Sequence, residues 1–215
     1  MPMLYVYTCD LGIALYPLAI LMLVFILFRR WKQTFNLPHI FFLALFSIYL
    51  IYGIDKVFFP IELCPGFSEE IMQLPFTSFV NLIPFYFGQF GLGERGLLFL
   101  FYNTILTMPF GFGINFLTSM SSKKMVRVSI FLGLGLEVAQ FLISIILRYP
   151  YRVVDINDSI FNACGVLLGY GLFKLFARIY LLVIKPEASN KGKLRHYLNE
   201  VVRQKIHFNT YSNKQ

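Results

Sequence analysis

The chain has 215 residues, 57% of them hydrophobic and only 14% charged, with a formal net charge of +8 and a mean hydropathy of +0.65. Soluble domains carry roughly a quarter charged residues, so this composition excludes a fold that covers itself with polar surface. Apolar runs of about 20 residues are long enough to cross the hydrocarbon core. Backbone in lipid must satisfy its own hydrogen bonds, so such runs are expected to be helices packed together. The predicted fold is all-α, a polytopic integral membrane helix bundle with five transmembrane helices.

In chain order, the first span is Leu11–Phe28. No basic residue precedes it and Asp10 sits just ahead of it, which argues against a cleavable signal. Cys9 has no apolar region upstream, so a lipoprotein reading also fails. Arg29, Arg30 and Lys32 follow this span, so residues 1–36 hold an N-terminal helix and a basic loop. The second span is Leu37–Ile54. The connection 55–96 is aromatic and broken by Pro75, Pro84, Gly88, Gly91 and Gly93. A loop this apolar should fold back onto the bundle or enter the membrane interface.

The third span, Leu97–Leu117, carries Asn103 near its outer end, then Pro109, Gly111 and Gly113. Proline in a helix interior breaks the hydrogen-bond ladder, so a kink is expected there. The fourth, Val126–Leu147, places Glu137 at mid-membrane depth with Gln140 on the same face. The fifth runs from near Ser159 to Ile184. A basic tail, 185–215, closes the sequence; Leu194, Leu198 and Val201 lie at helical spacing. A surface-lying amphipathic helix and an unstructured tail are equally open readings.

All but four of the 19 basic residues fall on one side if the N-terminus is outside and the spans alternate. The exceptions are Lys56, Arg95, Arg148 and Arg152. The positive-inside rule then places the N-terminus outside and the C-terminus in the cytoplasm. The net positive charge is mostly cytoplasmic basicity suited to anionic lipid, and it does not imply nucleic acid. Cys9, Cys64 and Cys164 form no CxxC and no zinc spacing. Cys164 is expected to be a packing residue, and a Cys9–Cys64 pairing stays open. No cofactor and no metal site is predicted.

The polar residues in apolar surroundings carry the functional reading. In "VVDINDSIFNACGVLLGYG", Asp155, Asp158, Asn162, Gly165 and Gly169 are spaced 3, 4, 3 and 4 apart, one stripe on a helix. Gly165 and Gly169 form a GxxxG face that lets another backbone approach. Asp155 also reads as an ordinary acid at a helix start. Ionisable groups at membrane depth are costly and normally face the bundle interior. For Glu137 and Gln140, interhelical hydrogen bonding is the structural alternative. On the alternating topology, Asn103, Glu137, Gln140, Asp155, Asp158 and Asn162 share the outer half of the membrane. Three helices would then form a polar, outward-facing pocket, flanked by the loop around Asn81, Pro84 and Phe85. Arg152 is its nearest cation in sequence.

The segments "NLIPF", "YNTILTMPFG", "LEVAQ" and "DINDSIFNACGVLLGYG" resemble the VanZ-like membrane protein family, over roughly residues 77 to 173. The resemblance implies a bacterial cytoplasmic membrane protein of the cell envelope with a four-span core, here over 37–184, to which the N-terminal helix and basic loop of 1–36 are an addition. The family's founding member is associated with low-level teicoplanin resistance. The resemblance supplies no established catalytic residues.

The favoured function is a non-catalytic one: binding a lipid-like or lipopeptide ligand in the outward pocket and contributing to antimicrobial tolerance. Its partners would be membrane lipids and such a lipid-linked envelope ligand; the oligomeric state is undetermined. Asn81, Pro84, Phe85, Asn103, Glu137, Gln140, Arg152, Asp155, Asp158 and Asn162 are the candidate ligand-binding residues. Pro109, Gly111, Gly165 and Gly169 are assigned to helix packing. One alternative is an integral-membrane enzyme on a lipid-linked substrate, using Glu137, Asp155 and Asp158 as acid and base. The sequence has no HExxH, nucleophile elbow or phosphate loop to support it. A second alternative is a small proton-coupled transporter with Glu137 as the titrating group.

Overall fold

A computed structural model describes residues 36–61, 75–87, 94–184 and 192–212. The span expected at Leu11–Phe28, with Cys9 and Cys64, lies outside these residues. Among the described residues there are five α-helices: α1 (Leu37–Phe58), α2 (Glu94–Leu117), α3 (Ser122–Leu147), α4 (Ile156–Val183) and α5 (Lys193–Ser212). A short parallel bridge pairs β1 (Val80–Asn81) with β2 (Val154–Asp155). Helices α1, α3 and α4 are long and apolar enough to cross a membrane, and the chain is a multi-pass membrane protein. In α2, Asn103, Thr104, Thr107 and Asn115 dilute the apolar character.

Local chemistry sets the ends. Pro38 starts α1 in its first turn, where a missing N–H costs nothing. Ser121 caps α3 by accepting from the Lys124 amide at 3.3 Å. That helix stops at Arg148, which is left-handed with φ 59°. Asp155 is the N-cap of α4 and accepts from the Asn157 amide at 2.8 Å.

The bundle buries small and polar residues and turns its apolar ones outward. The buried face of α3 is Met125, Ser129, Gly133, Glu137, Gln140 and Ser144. Phe131 and Ile146, on its other side, are 81% and 77% exposed. Lipid is as apolar as leucine, so burying leucine between helices gains little there. Close backbone approach and interhelical polar contacts hold such helices together.

Helix α4 is the hub, packed most extensively on α2 and next on α3. A Cβ added at Gly165 or Gly169 would collide with the carbonyl oxygens of Thr104 or Met108 on α2. One added at Gly111 would strike the Val166 carbonyl on α4, and one at Gly133 of α3 would strike that of Ser159. The glycine stripe therefore does lie on a packing face.

Helix α2 continues through Pro109, which has no N–H to give the Ile105 carbonyl, so one bond of the ladder is missing there. Tyr49 of α1 donates to the Leu106 carbonyl at 2.8 Å, one turn before the proline, where the helical bonding is weakened. Cys164 is exposed rather than packed, because its side of α4 faces away from both α2 and α3.

The opposite end of the bundle is aromatic. Phe116, Phe173, Ala177 and Tyr180 form a core completed by Val202 of α5. Phe42 stacks on Phe116 with ring centroids 4.4 Å apart. Tyr197 of α5 is buried and donates to the Phe116 carbonyl, and Tyr180 donates to Asn199 at 3.0 Å. Burial, with Glu200 adding to it, pushes the Tyr197 phenol up to about 12, so it remains a donor at ordinary pH. The segment 193–212 is thus a docked helix.

Gly169→Ile must push α2 and α4 apart and should destabilise the protein by about 3 kcal/mol or more. Gly171 has nothing within 4 Å of an added Cβ, so Gly171→Ala should be neutral or stabilising by up to about 1 kcal/mol. Thermal unfolding in detergent distinguishes the two.

Candidate functional site

The candidate site forms where the start of α4 meets α2, α3 and the segment 75–87. Pairing of Val80 with Val154 and of Asn81 with Asp155 draws that segment onto the bundle. Asn81 then donates through Nδ2 to the Asp155 carboxylate and to the Tyr86 carbonyl, each at 2.9 Å. Its Oδ1 accepts from the Ile83 amide at 3.1 Å, forming an Asx turn. Asn157, 1% exposed, grips the same loop from α4. Its Oδ1 accepts from the Phe85 amide at 2.6 Å and its Nδ2 donates to the Tyr86 carbonyl at 2.9 Å.

This clamp holds a loop whose apolar side chains point away from the protein. Leu82, Ile83, Phe85 and Tyr86 are 70%, 62%, 66% and 52% exposed. Phe85 adopts φ 61°, a left-handed conformation that costs a non-glycine residue on the order of 1 kcal/mol. The Asn157 contact maintains it. Pro84 lies at the exposed turn.

Beneath the loop lies a polar cluster. Glu137 of α3, 6% exposed, accepts from the Asp155 amide at 3.1 Å. It also lies within electrostatic range of Asp158, Asp155 and Arg152. The Asn103 side chain of α2 lies close to the Asp158 carboxyl group. Arg152 donates to the Phe59 carbonyl at 3.0 Å, while its Nε is buried without a partner among the described residues. One turn deeper, Thr107 donates to the Asn162 carbonyl at 2.8 Å. The Asn162 Oδ1 and Ser159 Oγ are buried without a partner among the described residues. Tyr151, whose hydroxyl is also buried and unpartnered, has its phenol pushed up by burial, with Arg152 opposing the shift.

Of the residues singled out in the sequence, Asn103, Glu137, Arg152, Asp155 and Asp158 come together, and Asn81 joins them through Asp155. Gln140 does not. Its Nε2 donates to the Val57 carbonyl of α1 at 3.0 Å, so it ties α3 to α1 and serves packing. The stripe is also shorter than its spacing suggests. Asp155 is extended, with φ −128°, so it caps α4 from outside, and the α2-facing stripe begins at Asp158.

Sequence spacing overlooked Asn157, Ser159, Thr104 and Thr107. Asn157 lies off the stripe because it grips the loop rather than α2. Its signal is the Asp-x-Asn at a helix start, a cap followed by a second side chain able to bond backbone. Thr104 and Thr107 look like ordinary helix surface until Gly165 brings α4 against them.

The chemistry available is acceptor-rich: three carboxylates, an unpartnered amide oxygen and one guanidinium. Among the described residues, no three His, Cys, Asp or Glu side chains are grouped so as to hold a metal ion. Asn157→Ala should release the loop, raising amide exchange at Phe85 by tenfold or more, since losing such a bond costs about 1–3 kcal/mol. Helix α4 itself should stay protected, because Asp155 still caps it.

A family model described as VanZ/LLP1 matches residues 46–177. The match extends beyond the motifs quoted from the sequence to take in most of α1. No curated protein matches the chain, and no solved structure does.

Proposed function

The chain belongs to the VanZ/LLP1 family, and we propose that it binds a lipid-like envelope ligand at the cluster beneath the 82–86 loop. On this reading it is a bacterial cytoplasmic membrane protein that contributes to tolerance of glycopeptide or lipopeptide antimicrobials. The observation that carries the proposal is the union of two unlike surfaces. An exposed apolar loop is fixed by Asn81 and Asn157 directly above the buried Glu137 and the half-buried Asp155 and Asp158. An amphiphile has that same division, with acyl carbons for Leu82, Ile83 and Phe85 and a hydrogen-bond-donating head for Glu137 and Asp158.

The wider proposal has five spans, with the N-terminus outside. The basic residues support it, since Lys123, Lys124, Arg127, Lys174 and Arg178 share the end of the bundle away from the candidate site. The site would then open to the outer leaflet, where envelope ligands and antimicrobials are encountered.

Loss of the gene should raise teicoplanin susceptibility several-fold. Asp158→Ala and Glu137→Ala, at equal membrane abundance, should reproduce most of that loss. Gln140→Ala should behave like the unaltered chain apart from reduced thermal stability. Equal susceptibility of all strains would reject the tolerance reading. The proximity of Glu137 to Asp158 also suits an enzyme using one carboxyl as acid and the other as base. Turnover of a lipid-linked substrate, abolished by Glu137→Gln, would select that reading instead.

A further inference from the structure

A second feature lies at the other end of α3, on its lipid-facing side. An open groove of about 660 Å³ runs between α3 and Phe110 of α2, with Phe131, Gly135 and Leu136 along it and Lys124 and Arg127 at one end. We propose that it holds one acyl chain of an anionic phospholipid, whose phosphate is bound by Lys124 and Arg127.

Length is the first argument. From Lys124 to Gly135 a helix rises about 16 Å at 1.5 Å per residue. That is about half the ~30 Å hydrocarbon core, the depth of one leaflet. Shape is the second. Gly135 leaves the far end open, with nothing within 4 Å of an added Cβ, and Phe131, 81% exposed, forms a wall.

Charge selects the occupant. Lys124 and Arg127 are exposed, and neither forms an ion pair among the described residues. The neighbouring Lys174 is already engaged, donating to Ser122 at 3.0 Å and lying 4.6 Å over the Tyr170 ring. The chain's own apolar run Leu11–Phe28 is followed by Arg29, Arg30 and Lys32. Seated in the groove with its basic end level with Lys124, it would stack like charges. A second copy related by a two-fold axis would bring its own Lys124 and Arg127 against these. An anionic phosphate neutralises them, as juxtamembrane cations attract anionic lipid.

The test uses the full chain in nanodiscs of equal phosphatidylglycerol and phosphatidylcholine, followed by gentle extraction and native mass spectrometry. One phosphatidylglycerol should be retained over phosphatidylcholine by on the order of tenfold. Lys124→Glu with Arg127→Glu should bring that ratio near one. Gly135→Leu should lower retention of both lipids by filling the groove. A photoreactive benzoylphenylalanine replacing Phe131 should crosslink to phospholipid. Equal retention by the unaltered chain, or a preference unmoved by the charge swap, would overturn the proposal. So would crosslinks to residues 11–28 or to a second copy. Should Gly135→Leu fail to fold, the charge swap and the crosslink still decide.

Discussion

The approach of the α2 and α4 backbones is the constraint on which the rest of this structure depends. Glycines on both helices remove the side chains that would separate them, and carbonyl oxygens of Thr104, Met108 and Val166 occupy the space. In lipid this contact cannot be driven by hiding apolar surface, so it relies on dense packing and on polar contacts such as Thr107 to the Asn162 carbonyl. The contact also fixes depth. With Gly165 seated against Thr104, Asp158 lies two turns nearer the start of α4 and meets Asn103 of α2. The glycines therefore position the carboxylate as well as the helix.

A second constraint links the site to its loop. Asp155 caps α4, pairs in β2 with Asn81, accepts from Asn81 Nδ2 and gives its amide to Glu137. One residue thus joins the helix start, the apolar loop and the buried carboxylate of α3. Movement of the 82–86 loop must be felt at Glu137, because the Asp155 backbone lies between them. The exposed prongs and the buried acids form one mechanical unit, with the Asn157 side chain as its second anchor.

The sequence carried much of this. The helices over 37–54, 126–147 and 159–184 were legible from hydropathy, with true starts a few residues earlier at Ser122 and Ile156 in the last two, and the glycine spacing disclosed a packing face on α4. Spacing could not show which partner each polar residue meets. Gln140 shares a helix face with Glu137, yet the two diverge because α1 supplies a free carbonyl at Val57 where its first helix ends. Asn157 was invisible to periodicity because its task is to bind another segment's backbone, which leaves no repeating mark. Pro109 marked a break in the ladder, but spacing could not show that Tyr49 of a neighbouring helix donates to the Leu106 carbonyl one turn before it.

The magnitudes bear on why residue 137 is an acid. Among the described residues its structural contact is a single bond from the Asp155 amide, and were the group ionised such a bond would contribute about 1.5–3 kcal/mol. Placing comparable charges at mid-membrane costs about 2.5–3.5 kcal/mol on insertion scales. The structural contact therefore offsets at best about what the carboxylate costs. A neutral amide would accept the same N–H bond at lower cost, and α3 shows one, since Gln140 joins α3 to a backbone carbonyl of α1. A carboxyl group adds a titratable proton, which helix packing does not require and which the proposed recognition of a polar head group would use. Asp158 repeats the pattern on α4, beside the Asn103 side chain of α2. The two acids exceed what holds the bundle together, and that excess is the reason the proposed ligand site is placed at this end of the protein.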